Sequence, residues 1–423
     1  MFGSTPLNLV ETPEALADCA AALQRATVIG VDTESDSFHH YREKVCLIQI
    51  SDLYTDYVVD PLAVPDLSAL APVFANPAIT KVFHGADYDV VSLKRDHHFK
   101  IHGIFDTMIS AQFLGLPHVG LADLVNTWWG VTLDKQWQRH DWAHRPLLDE
   151  HLDYARGDSH WLPALRDLLS RRLAAVGRLA HVAEECAVIE RREWDRPRNQ
   201  PDDFLRVKGC KQLGDDGLRV LRALYAWRNR EAEAQDRPPF KVLPEEIMLE
   251  LAGRVPRTPD ELAGCFRRNA PFVRRYGHEI LVAVEAGATD ETPLPSPAPP
   301  PPRGEVSLRG PRAELLMARL KDWRNKEVDR RKVPPVAVAS NGTLREIVRV
   351  APRTLEAITA IEEIRRWQLE LYALPWLEIV AEVLGDTEAG AAAAPRRRRR
   401  RRSGGEEPSG EAQPEADEDK AEG

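Results

Sequence analysis

The chain has 423 residues, 43% hydrophobic and 29% charged, the composition of a soluble globular protein long enough for two or three domains. No apolar run approaches the roughly 20 residues of a membrane-spanning helix, and the opening MFGSTPLNLVETPEALADC carries acids and alanines where a secretory signal would have a basic end and an apolar block. The formal charge of −9 argues against a phosphate-binding surface spread over the whole molecule, so any such face must be local.

Residues 1 to about 200 alternate between strand and helix patterns. Apolar, β-branched runs at Ala26 to Val31, Val45 to Ile50, Tyr57 to Val59 and Lys81 to Phe83 predict strands. Helical stretches are predicted at Ala86 to Arg95, Thr107 to Leu116, Leu121 to Trp129 and Leu148 to Leu173. The order predicts an α/β domain with a mixed sheet flanked by helices. The five cysteines, Cys19, Cys46, Cys186, Cys210 and Cys265, are odd in number and far apart, which predicts reduced thiols in a cytoplasmic protein.

From Asp215 no strand pattern returns, and the chain repeats itself. Trp227-Arg228-Asn229-Arg230-Glu231 recurs as Trp323-Arg324-Asn325-Lys326-Glu327, Pro238-Pro239 as Pro334-Pro335, and Pro256-Arg257-Thr258 as Pro352-Arg353-Thr354. All three matches share an offset of 96 residues, which predicts two copies of one helical unit. Between them Thr292 to Pro302 predicts an extended polyproline spacer that keeps the copies apart as separate contacts. After Gly385 come seven arginines, Arg396 to Arg402, and an acidic end, a segment predicted to be disordered. The arginines fit either a nonspecific phosphate-binding arm or a solvated tail neutralised by the neighbouring acids.

The chemistry-bearing residues lie in three distant stretches. Asp32-Thr33-Glu34 ends the first predicted strand, and the strand period of two puts both acids on one face. Two carboxylates so placed repel unless a cation lies between them, which asks for a hard divalent metal. Tyr154 and Asp158 stand four apart on one helical face. His84-Gly85-Ala86-Asp87-Tyr88-Asp89 follows a buried strand, with a glycine suited to a tight turn. Taken singly, each pattern also fits a bland role: solvated acids at a strand end, a half-buried helix aromatic, a core histidine, an aspartate capping a helix.

Together the acids and the tyrosine give the order D-x-E, D, Y-x-x-x-D, and at this point the chain resembles the DEDDy subgroup of the 3′→5′ exonuclease superfamily, most closely the ribonuclease D group. The resemblance runs from about residue 25 to 175 through VIGVDTE, LIQIS, VVDPL, KVFHGADYDV, FDT, DWAHRPL and DYARGDSHWL. The helical repeats resemble HRDC domains. The resemblance implies a ribonuclease H-like α/β exonuclease domain over 1–200, HRDC domains over 201–290 and 305–385 joined by a Pro-rich linker over 291–304, and a disordered tail over 386–423. It implies Asp32, Glu34, Asp89 and Asp158 as ligands of two Mg²⁺ or Mn²⁺ ions, with Asp89 chosen over Asp87 by its place in the motif. Tyr154 matches the tyrosine that positions the attacking water, while Asp153 stands where the other subgroup has a histidine. His84, Gln49, Trp137 and Arg145 fall in matching segments as substrate contacts, and Asp106 and Asp141 lie in the same segments.

The implied activity is hydrolysis of RNA from a single-stranded 3′ end to nucleoside 5′-monophosphates, in processing of transfer RNA or other stable RNA, by a monomer without membrane attachment. Two alternatives stand beside it. One is a DNA 3′→5′ exonuclease of repair or proofreading type; the other is a noncatalytic nucleic-acid-binding scaffold. The stretches Phe204 to Leu281, with 15 Lys and Arg against 11 acids, and Arg312 to Leu384, with 13 against 11, are only mildly basic. Trp227, Tyr225 and Trp323 at helical spacing fit a core better than a base-stacking platform.

Overall fold

The computed structural model describes residues 5–194, 199–266, 270–295 and 308–385, so the arginine run, the acidic end and most of the proline spacer lie outside the described residues. Its first half is built on one sheet of six strands: β1 (Leu7–Val10), β2 (Val28–Ser35), β3 (Val45–Ser51), β4 (Asp56–Val59), β5 (Thr80–Phe83) and β6 (Ile104–Asp106). They lie in the order β1-β4-β3-β2-β5-β6. β3 runs antiparallel between β2 and β4 and is buried along its whole length, which explains why Val45 to Ile48 are all apolar rather than alternating and why even Gln49 and Ser51 are enclosed. β2, β5 and β6 are mutually parallel, so their C-terminal ends, and the acids they carry, share one side of the sheet.

The helices of this half are α1 (Pro13–Leu23), α2 (Ala71–Ala75), α3 (Asp87–His97), α4 (Thr107–Leu114), α5 (Leu121–Trp129), α6 (Asp149–His160), α7 (Leu162–Ala175) and α8 (Leu179–Glu190). The single helix predicted over Leu148 to Leu173 is therefore two. Pro163 has no N–H to bond the Ser159 carbonyl, and the chain breaks at Trp161 between α6 and α7. The released Ser159 carbonyl sits on Gly30 of β2, closer than any Cβ could tolerate, with Leu162 and Pro163 beside it. α6 is fixed in register by Arg156, whose Nη2 donates to Asp56 Oδ2 at 2.7 Å, by Ser159 and Ser51 hydroxyls 2.7 Å apart, and by His160 Nδ1 3.0 Å from Asp56. Tyr154 and Asp158 are thereby held over the face of β2 that bears Asp32 and Glu34.

The helical half keeps the repeat in three dimensions. α9 (Asp215–Ala234), α10 (Pro239–Val242), α11 (Glu245–Arg254), α12 (Pro259–Cys265) and α13 (Ala270–Ala288) form the first copy. α14 (Pro311–Arg331), α15 (Asn341–Val350), α16 (Leu355–Thr359) and α17 (Arg366–Leu384) form the second. Trp227 and Tyr225 are core residues of the first copy, and Trp323 packs on Tyr372 and Trp376 in the second.

The copies are not the independent contacts that the spacer predicts. The second shares one continuous apolar core with the α/β unit. Trp367 of α17 meets Phe113 edge-on at 5.4 Å, stacks on His181 at 5.0 Å, and its Nε1 donates to Glu185 at 3.2 Å. Gly115, at φ +72 after α4, lets the Lys332 carbonyl come to rest where a side chain would stand. The first copy has its own core and meets the opposite rim through polar contacts: His40 Nδ1 to Asp236 at 2.7 Å, Arg42 to Glu233 at 2.6 Å, and the Tyr41 N–H donating to Asp236 at 3.1 Å. Among the described residues no helix is long and apolar enough to cross a membrane.

Gly30→Ala forces a methyl into the α6–α7 junction, an overpacking cost of about 1–3 kcal/mol. The expected outcome is a lower denaturation midpoint together with a disproportionate loss of the catalytic activity assigned below, because Tyr154 and Asp158 ride on the helix that must move.

Candidate active site

Asp32, Glu34 and Asp158 each place a carboxylate oxygen within 4.8 Å of the other two. All three are half-buried, and none has a basic group among the charges that act on it. Burial first, then mutual repulsion, pushes Asp32 and Glu34 well above the ordinary carboxylate range, and raises Asp158 to about 7. Asp89, from the first turn of α3, lies outside this trio but belongs to the same cluster: its charge is the largest electrostatic influence on Asp32 and acts on Asp158 as well. It is itself raised to about 6, mainly by burial. Asp87 points elsewhere, exposed and ion-paired to Arg192 at 2.6 Å.

Thr33, between the two strand acids, points away from their face, yet its hydroxyl donates to Asp89 Oδ1 at 2.5 Å. That bond holds the third acid at the end of β2 and favours its charged form. Neither composition nor spacing marks Thr33 for this role, because the partner comes from an element 56 residues away.

Tyr154 lies one helical turn before Asp158. Burial, then the charges of Asp158, Glu34 and Asp32, push its phenol above the ordinary tyrosine value, so it stays protonated at any physiological pH. It can donate a hydrogen bond but cannot serve as a phenolate base. Its ring stacks at 5.8 Å on Trp142, whose side chain is almost completely buried. Trp142 is the second residue of the DWAHRPL segment, which the sequence marks without showing what it supports.

Arg145 of that segment clamps Asp60 with two bonds of 2.7 Å and also donates to the carbonyls of Trp142, His144 and Cys46. The guanidinium expected to contact substrate is thus committed inside the fold, where it ties the segment to β3 and to the end of β4. Trp137 packs edge-on against His151 at 4.4 Å and lines a cleft with Tyr154 and Asp158. Gln49 pairs across the sheet with Asp32, is fully buried, and its amide finds no hydrogen-bond partner among the described residues. Asp141 caps its own loop, accepting from the Ala143 N–H at 3.2 Å, and lies 3.4 Å from His40.

His84 stands one residue beyond β5, before the positive-φ turn at Gly85. The single proton of the Thr107 hydroxyl goes to the Phe83 carbonyl at 2.9 Å, so the 2.9 Å contact between His84 Nδ1 and Thr107 requires Nδ1 to donate. Burial lowers its pKa to about 4, leaving a neutral ring with an unprotonated Nε2. Asp106 accepts from the Ala86 N–H at 2.7 Å and the Ile109 N–H at 3.0 Å, fixing the His84–Asp89 turn to the start of α4. Its place is a brace beneath the site.

Four converging carboxylates without an ion-paired basic side chain among the described residues, all in oxygen-rich surroundings, fit hard divalent cations such as Mg²⁺ or Mn²⁺. Asp32, Glu34 and Asp158 would hold such an ion, with Asp89 beside them. Arg145→Ala strands the buried Asp60 carboxylate, for which about 3 kcal/mol is expected in chemical denaturation; an unchanged midpoint would mark Arg145 as a substrate contact instead.

The comparisons with known proteins agree with this geometry. The 3′-5′ exonuclease model matches residues 7–174, and the HRDC domain model matches twice, over 217–284 and 313–380. Exosome complex component 10 homolog of Caenorhabditis elegans is 34% identical over 287 residues, 67% of this chain and 33% of that protein. The mouse exosome complex component 10 is 32% identical over 70% of this chain and 36% of its own length, so the chain spans about a third of the curated relatives it matches. The catalytic core of RRP6 from Trypanosoma brucei superposes with a TM-score of 0.59 at 34% identity, over 68% of this chain and 81% of that one. RNase D of Escherichia coli, described as an exoribonuclease involved in structured RNA processing, gives 0.67 at 27% identity, over 89% and 99%. Sequence, fold and acid cluster coincide in one conclusion: the chain belongs to the 3′-5′ exonuclease family of RRP6 and RNase D, a DEDDy-type exonuclease domain followed by two HRDC domains.

Proposed function

We propose that the chain is a two-metal 3′→5′ exoribonuclease that removes nucleoside 5′-monophosphates from the single-stranded 3′ end of transfer RNA precursors or other stable RNAs. The observation that carries this reading is the meeting of Asp32, Glu34 and Asp158, with Asp89 coupled to them, beside a protonated tyrosine. Divalent ions bound there supply a water of lowered pKa and stabilise the departing 3′ oxygen. The four carboxylates would hold those ions, and none of them is ion-paired to a basic side chain among the described residues. Tyr154, as a neutral phenol, donates a hydrogen bond that orients the attacking water. No side chain is needed as a covalent nucleophile.

RNA rather than DNA is the proposed substrate because RNase D of E. coli is an exoribonuclease and the curated relatives are exosome components. Neutral His84, with its Nε2 lone pair, and Trp137 are the proposed substrate contacts; Gln49, fully buried opposite Asp32, lies beneath the site rather than in reach of a substrate.

The test is hydrolysis of 5′-labelled single-stranded RNA with and without Mg²⁺, with the matched DNA as competitor. Wild type should shorten RNA one nucleotide at a time from the 3′ end. Asp32→Ala should lose about a thousandfold in rate, comparable to removing a principal electrostatic stabiliser, and Tyr154→Phe about a hundredfold. Equal activity of wild type and Asp32→Ala would favour the scaffold reading, and preference for DNA would move the chain to the repair type.

A further inference from the structure

The rim of the α/β unit and the first helical copy enclose a cavity of about 680 Å³, within the roughly 300–1,000 Å³ of small-ligand sites. Its lining starts at Ser37, three residues after Glu34 in the chain. Ser37, in its lining, lies 3.2 Å from the hydroxyl of Ser35, the residue after Glu34.

Arg228 forms part of the lining. It is only 3% exposed, its guanidinium lies over the Tyr225 ring at 4.6 Å, and its Nε has no hydrogen-bond partner among the described residues. Tyr225 also hydrogen-bonds the guanidinium and the charge of Glu245 acts on it, so the Nε donor is what remains for an acceptor from outside the fold or a water. The other arginines of the lining are already committed, Arg42 to Glu233 at 2.6 Å and Arg95 to Glu43 at 2.7 Å. The repeat supplies an internal comparison. Arg324, at the same position in the second copy, also leaves its Nε unbonded, but its Nη1 donates to the Ala339 carbonyl and to Asn341 Oδ1, both at 3.0 Å, and staples that copy together. The first copy has Glu245 where the second has Asn341, and Glu245 lines the cavity.

Phe38 and Phe240, 49% and 48% exposed, meet edge to face across the two units at 6.3 Å, and Phe240 also lines the cavity. Exposed rings beside arginines make a platform for unstacked bases of a single strand. Because the lining carries Glu233, Glu43 and Glu245 as well as three arginines, it suits a group with both donors and acceptors better than a bare phosphate.

We propose that this cavity takes one nucleobase of the substrate strand, from a nucleotide on the 5′ side of the one being removed. Arg228 donates to the acceptor edge of that base, and Phe38 and Phe240 stack its neighbours. The proposal rests on the exonuclease reading and adds to it a site that only longer strands reach.

The experiment compares hydrolysis of a dinucleotide with that of an RNA of about ten nucleotides, within the span of single-strand binding grooves, using the full chain and Mg²⁺. Arg228→Gln should lower kcat/KM on the longer RNA about tenfold and leave the dinucleotide within about twofold, the effect of losing a charge-assisted hydrogen bond. Phe240→Ala, at an exposed position that folding tolerates, should cause a smaller loss of the same kind with an unchanged denaturation midpoint. Equal losses on both substrates, or no loss on the longer RNA with Phe240→Ala and a folded Arg228→Gln, overturn the cavity assignment while the exonuclease reading stands. Absence of wild-type hydrolysis of either substrate overturns both.

Discussion

Four carboxylates are held together with no ion pair to a basic side chain among the described residues, and much of the fold can be read as the means of holding them there. Asp32 and Glu34 share a face because strand residues two apart do so; Asp158 reaches them because α6 is bonded to Asp56 and Ser51 and because Gly30 leaves room for the Ser159 carbonyl. Asp89 arrives from the other side of β2, pinned by Thr33. Burial above all, with repulsion from neighbouring acids, disfavours the charged forms, and the raised pKa values of all four acids register that cost. A divalent cation turns the same arrangement from a liability into a binding site.

The two helical copies have taken different structural positions around this centre. The second has joined its apolar surface to that of the α/β unit through Trp367, Phe113 and His181, and reads as a brace. The first touches the α/β unit through ion pairs and the Phe38–Phe240 contact, and leaves a cavity lined by residues of both. One sequence motif, Trp-Arg-Asn, therefore serves a bonded staple in one copy and a cavity wall in the other.

Much of this was legible in the sequence where local pattern and tertiary role coincide. The buried strands β3 and β5 announce themselves as apolar runs, and the helix repeat keeps its 96-residue offset, as in α11 starting at Glu245 and α15 at Asn341. The edge strands were missed: β1, four residues with one fully buried, and β6, three residues, lack the apolar, β-branched run that marks the equally short β4 and β5. The break between α6 and α7 was hidden in an unbroken helical periodicity, although Pro163 was its cause and was in plain view. Asp32, Glu34, Tyr154 and Asp158 could be grouped by spacing, whereas the choice of Asp89 over Asp87 came from family resemblance. Thr33 and Trp142 act through residues distant in sequence, and the substrate role expected of Arg145 could not anticipate that Asp60 would occupy its guanidinium. The docking of both copies on the α/β unit likewise depends on surfaces that only the folded chain brings together.

If the carboxylates need a cation, the pH dependence of stability must show it. Their folded-state pKa values are raised, to about 6 for Asp89 and about 7 for Asp158, so the folded protein binds more protons than the unfolded chain between those values and the ordinary carboxylate range. Without metal, these groups make stability fall as pH rises through that window. Thermal unfolding with and without saturating Mn²⁺ at about pH 5 and about pH 8 should show little metal effect at the lower pH, where protons hold the site, and a rise of several degrees at the higher. An unfolding midpoint indifferent to Mn²⁺ at the higher pH would contradict the metal centre and the mechanism built on it.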